Sequence, residues 1–137
     1  MQPFHLAFPI RDIESTRWFY GKILGCEIGR ETEKWIDFNF FGHQLSAHVS
    51  PEECTGRATS RVDGKDVPLR HFGIVLQWED WEKLAGRLKN NNVEFLIEPG
   101  VRFAGKPGEQ GTFFIIDGSG NGLEFKTFKN MDNLFAK

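Results

Sequence analysis

"HLAFPI" at residues 5–10 and "HFGIVL" at residues 71–76 superpose histidine on histidine. Each reads as a strand, and strands send successive side chains to opposite faces. In the first, Leu6, Phe8 and Ile10 share one face, leaving His5, Ala7 and Pro9 on the other. In the second, Phe72, Ile74 and Leu76 oppose His71, Gly73 and Val75. The large apolar sets must pack under a helix. Both histidines therefore point away from it.

The segments downstream of the two stretches repeat as well. After residues 4–10, Asp12 has the character of an N-cap. "IESTRWFYGKIL" then carries helical spacing through Ile13, Phe19, Ile23 and Leu24, with Gly25 as its stop. Strands are expected at Cys26–Arg30, Trp35–Phe41 and Gln44–Ser50, the last two joined by a hairpin at "FGH", with His43 exposed in the turn. After the second stretch, a helix is expected over Glu79–Asn90. Strands come next at Val93–Ile97, Thr112–Asp117 and Leu123–Phe128. "GHQLSAH" and "GNGLEFK" superpose on the last strand of each unit. Between the units, residues 51–69 are polar and rich in Gly, Pro, Ser and Thr, and read as a linker or long surface loop. Residues 129–137 read as a tail. The chain is thus one α+β domain over residues 1–137, with module one at 3–50 and module two at 70–128. Internal repetition constrains a fold more than propensity does. Two such sheets, each covered by one helix, should pair to enclose something.

Composition narrows the function. The net charge of −2 with interspersed signs offers no stripe for nucleic acid. No run reaches membrane-spanning length, and no signal peptide is legible. Cys26 and Cys54 have no metal or redox spacing, as expected of reduced thiols in a cytoplasmic protein. "DGSGNG" leads into a strand and reads as a tight turn, not a phosphate loop.

The closing strands supply the rest of the face that carries the histidines. Leu45, Ala47 and Val49 share one side, leaving Gln44, Ser46 and His48 on the other. Leu123, Phe125 and Thr127 leave Glu124 and Lys126. A carboxylate in so apolar a strand needs a partner, because an isolated buried charge is costly. The repeat delivers His5, Ser46, His71 and Glu124. Two imidazoles and one carboxylate, with positions left open, suit Fe(II) and its relatives Mn(II), Co(II), Ni(II) or Zn(II). His5, His71 and Glu124 are the candidate metal ligands.

"HLAFPIRDIESTRWFYGKILG", "HFGIVLQ" and "DGSGNGLEFK" together resemble the vicinal oxygen chelate superfamily, which includes glyoxalase I, extradiol dioxygenases, fosfomycin-resistance proteins and bleomycin-binding proteins. The resemblance spans residues 3–128. It implies two βαβββ modules forming a half-open barrel with a metal inside, and a homodimer. The metal positions fall on His5, His71 and Glu124, and the fourth, a ligand in glyoxalase I, falls on Ser46. Serine is a poor divalent ligand, so the set matches the extradiol pattern, with Fe(II) as the expected metal. "WIDFNFFGHQLSAH" also looks like small single-domain extradiol-type proteins. The implied reaction is oxygenation of a vicinal diol or catechol-like molecule. A lyase, isomerase or thiol transferase of the same superfamily is an alternative, and a non-enzymatic small-molecule binder is another. His48, two residues beyond Ser46 on the same face, is the candidate acid or base, a replacement fourth ligand or a structural hydrogen-bonding group. Ser46, Arg102 and Asn39 are candidates for substrate contact. The family dioxygenases usually add a tyrosine; the single one here, Tyr20, lies in the helical "FY" and reads as packing.

Overall fold

The computed structural model describes residues 1–55, 58–62 and 64–137. They form two compact units, Met1–Ala58 with Asp117–Asn121, and Thr59–Ile116 with Gly122–Lys137. Each holds a four-stranded sheet of the expected βαβββ kind.

In the first unit, β1 (His5–Ile10), β2 (Glu27–Glu31), β3 (Trp35–Phe40) and β4 (His43–Val49) lie in the order β1-β4-β3-β2. β1 runs parallel to β4, and the other pairs are antiparallel. Asp12 caps α1 (Ile13–Thr16), its Oδ1 accepting from the Ser15 N–H at 2.7 Å. The helix then continues in π form over Arg17–Ile23. The Leu24 N–H reaches the Phe19 carbonyl, five residues back. The wider turn brings the neighbours Phe19 and Tyr20, and again Ile23 and Leu24, into the core, where an α-helix would turn one of each pair outward. Gly25 comes next at φ +77°, the left-handed conformation that ends a helix. Phe41 and Gly42 both take positive φ, giving a two-residue turn that sets β3 against β4. His43 is not exposed in that turn. It begins β4, half-buried, and its Nδ1 accepts from the Phe4 N–H at 2.9 Å.

"DGSGNG" is a turn whose polar groups are used inside this unit. Asp117 Oδ1 accepts from the Ser119 and Asn121 N–H groups, and Oδ2 accepts from the Tyr20 hydroxyl and Asn121 Nδ2. Asn121 Nδ2 also donates to the Pro9 carbonyl, and Ser119 Oγ accepts from the Arg11 N–H. Tyr20 therefore packs, as expected, among Phe8, Phe19 and Phe38. It also ties the helix to the turn.

The stretch 51–69, expected to be a linker or loop, carries regular elements among its described residues. Pro51–Cys54 is a 3-10 turn. β5 (Thr59–Val62) and β6 (Lys65–Pro68) form a hairpin in the second unit, anchored by the fully buried Val67. Gly56, Arg57 and Asp63 of that stretch lie outside the described residues. One buried apolar residue in a polar run left the hairpin without a visible period.

In the second unit, β7 (His71–Leu76), β8 (Phe95–Arg102), β9 (Gln110–Ile116) and β10 (Gly122–Phe128) take the order β7-β10-β9-β8. β7 is again the parallel edge strand. α2 (Trp78–Asn90) buries Trp81, Leu84, Ala85 and Leu88, the helical stripe. Trp81 packs on Phe113, and its indole N–H donates to the Phe125 carbonyl at 3.0 Å. The residues 129–137 close with a 3-10 turn at Met131–Phe135. Among the described residues no helix is long and apolar enough to cross a membrane.

Candidate metal centre

In the second unit β10 pairs with β7 so that Gly122 faces His71 and Glu124 faces Gly73. Phe125 and Phe113 stack within the core, so the opposite parity puts His71, Gly73, Glu124 and Lys126 on the outer face. These residues line one open depression. His71 Nε2 lies 3.5 Å from Glu124 Oε2. The other carboxylate oxygen accepts from the Thr112 hydroxyl at 2.9 Å. His71 Nδ1 is 2.9 Å from the Pro68 carbonyl, at the end of β6. A carbonyl can only accept, so Nδ1 carries a proton, and a neutral ring held this way has its lone pair on Nε2. The ring also meets Phe114 edge-on, with centroids 5.0 Å apart.

Two electron-rich atoms then face one another. A lone pair and a carboxylate oxygen at that separation call for a positive charge between them, either a proton or a cation. Two ligands sharing one ion at ~2.1 Å stand about 3.0–3.4 Å apart. The observed 3.5 Å is close to that spacing. The donor chemistry thus fits a divalent ion at this edge.

The first unit presents the matching face. His5 stands opposite Gln44 and Ala7 opposite Ser46 in the parallel pair, with Asp37 opposite Ser46 and Asn39 opposite Gln44. His5 Nδ1 lies 2.9 Å from Gln44 Oε1, and Gln44 Nε2 lies 3.3 Å from Asp37 Oδ2. Asp37 Oδ1 accepts from the Ser46 hydroxyl at 2.6 Å. Asp37 and Ser46 are each only 7% exposed. The Ser46 hydroxyl, the position the repeat supplies for a fourth ligand, is spent on a buried carboxylate. Asn39 is exposed, and its side-chain oxygen accepts from the Gly42 N–H at 2.8 Å, closing the turn. That oxygen serves the hairpin. His48 is exposed on the same face of β4, opposite Trp35. Arg102 is exposed at the end of β8 in the second unit.

The second unit therefore unites His71 with Glu124, while His5 is held by its own partners in the first. Among the described residues no three His, Cys, Asp or Glu side chains stand close enough together to hold a metal ion. No pattern in the sequence marked Thr112 or Pro68. Gln44 was legible as a polar residue of this face, and the two-residue turn at Phe41–Gly42 is the signal that sets Asp37 against Ser46.

A family model described as the Glyoxalase/Bleomycin resistance protein/Dioxygenase superfamily matches residues 2–125. A crystal structure described as glyoxalase/bleomycin resistance protein/dioxygenase, from Alicyclobacillus acidocaldarius, is 34% identical, with TM-score 0.79 over 98% of this chain and 96% of that one. The fosfomycin resistance protein FosX of Listeria monocytogenes shares the fold at 16% identity and TM-score 0.71, covering 97% of each chain. Lactoylglutathione lyase of Agrobacterium tumefaciens does so at 13% identity and TM-score 0.64, over 99% of this chain and 97% of that one. With both βαβββ modules in place and the match running from Gln2 into β10, the chain belongs to the glyoxalase/bleomycin resistance/dioxygenase superfamily.

Proposed function

We propose that this protein is a metal-dependent dioxygenase-like enzyme of the extradiol type, acting on a small vicinal diol or catechol-like substrate. His5, His71 and Glu124 are its ligands. The observation that carries the reading is His71 Nε2 at 3.5 Å from Glu124 Oε2, with Nδ1 engaged by the Pro68 carbonyl. His5 has the same character, since Gln44 takes its Nδ1 and leaves Nε2 free to ligate. The engagement of Ser46 by Asp37 supports three protein ligands instead of four. Bound there, a divalent metal such as Fe(II) would supply open positions for two adjacent substrate oxygens and for dioxygen.

The remaining steps belong to the chain's own side chains. Thr112 holds Glu124 Oε1, which keeps Oε2 turned towards His71. His48 is exposed, has no side-chain hydrogen bond among the described residues, and is the group that would take or return a proton at a substrate hydroxyl. Arg102 would meet an anionic substituent.

Protein loaded anaerobically with Fe(II) should consume oxygen with at least one member of a catechol panel. His48→Ala should lower kcat roughly 100-fold with metal content unchanged. A flat oxygen trace across the panel with metal bound would refute ring oxygenation in favour of a lyase, isomerase or thiol transferase.

A further inference from the structure

The two histidines are repeat-equivalent, yet their Nδ1 atoms are held by different means. The position opposite His5 is Gln44, and the position opposite His71 is Gly122. A Cβ on Gly122 would sit 2.8 Å from the Phe114 ring and 3.2 Å from the His71 Cβ. No side chain can act there, and a backbone carbonyl, that of Pro68, accepts from His71 instead. A carbonyl imposes the Nδ1–H tautomer by itself. A glutamine does not, because its amide presents an acceptor one way round and a donor the other.

Something must therefore decide which end of Gln44 meets His5. The group at the far end is Asp37, whose carboxylate accepts only. It draws Gln44 Nε2 to itself at 3.3 Å and so turns Oε1 towards His5. Flipping the amide would set two acceptors together at Asp37, a buried group with one other donor, Ser46. We infer that Asp37 is a positioning residue. Through Gln44 it fixes His5 as the Nδ1–H tautomer, with the Nε2 lone pair presented for ligation. This relay rests on the proposed metal site for its purpose, but not for its test.

The test reads the tautomer directly in metal-free protein. Histidine is labelled with 15N, and long-range 1H–15N correlation spectra are taken above pH ~8, where imidazoles are neutral. The His5 signals are identified by their loss in His5→Gln. Wild type should show a protonated Nδ1 at His5. Gln44→Ala, a change at an exposed position, should move His5 towards the Nε2–H form that neutral imidazole prefers in water. The double variant Asp37→Leu/Ser46→Ala should do the same while keeping the buried pair apolar and satisfied. Ser46→Ala alone should leave the tautomer as in wild type. Divalent-metal affinity should fall about 10–100-fold in Gln44→Ala and in the double variant, but not in Ser46→Ala.

An unchanged Nδ1–H signal in both Gln44→Ala and the double variant would overturn the inference. A change in Gln44→Ala alone would overturn the part assigned to Asp37. The predicted tautomers in a wild type that takes up no divalent metal would overturn the proposed function and uphold the relay.

Discussion

Gly73 is an exposed glycine in an edge strand, where replacement by alanine ordinarily stabilises by about 0.4–1 kcal/mol through the unfolded chain. Here the sign should reverse. An ideal Cβ at residue 73 falls 1.5 Å from the Glu124 carbonyl oxygen and 2.6 Å from its carbon. Its obstruction is backbone, which has no rotamer to escape into. Relieving the contact to about 3 Å moves β7 and β10 apart by roughly 1.5 Å, beyond the reach of an N–H···O bond. Losing about two ladder bonds beside the buried β10 costs about 3 kcal/mol. For a chain of this size that lowers Tm by roughly 10 °C. Urea denaturation tracked by circular dichroism should show the loss as a lower midpoint with an unchanged slope. The same shift carries Glu124 away from His71, so metal affinity should drop with stability. The repeat supplies the control. Ala7 occupies the equivalent place opposite Ser46, and Ala7→Gly should cost only about 0.5–1 kcal/mol, the ordinary entropic penalty. A Gly73→Ala protein within 1 kcal/mol of wild type, still binding metal, would refute this account of the β7–β10 contact.

Tyr20→Phe removes the hydroxyl donor at 2.8 Å from a buried carboxylate, and should destabilise by about 1.5–3 kcal/mol in the same denaturation assay. Asp12→Ala should cost about 1 kcal/mol at neutral pH, the usual worth of an N-cap. The N–H and hydroxyl of Ser15 hold the Asp12 carboxyl below its ordinary 3.8. A depressed folded-state value means that the contribution is complete above the unfolded value and lost as pH falls through the folded one. The gap between Asp12→Ala and wild type should therefore narrow below pH ~4, and a constant gap down to pH ~2.5 would exclude the cap as its source.

The repeat-equivalent places of His5 and His71 and the facing of Glu124 were legible because strand alternation and an internal repeat act at every position of these stretches. The two modules came from the same signals. The partners that fix the histidines were not legible. Pro68 ends β6, whose single buried residue, Val67, leaves no period to read, so it passed for a loop. Gln44 was visible on the right face, but which way its amide points depends on Asp37, a residue of another strand. Tyr20 read as packing because its bond to Asp117 joins positions far apart in the chain. The π form of the first helix was hidden for a related reason: Phe19, Tyr20, Ile23 and Leu24 are all apolar, and α-helical spacing accommodates only part of that set.

The central claim is that His5, His71 and Glu124 bind one divalent ion. An anomalous-difference map from crystals loaded with Fe(II) or Co(II) tests it most directly. One peak per site is expected, about 2.0–2.2 Å from Nε2 of His5, Nε2 of His71 and an oxygen of Glu124, with Ser46 uncoordinated. A peak ligated through Nδ1, one lacking any of the three residues, or a map with no peak from protein that carries stoichiometric metal would contradict it.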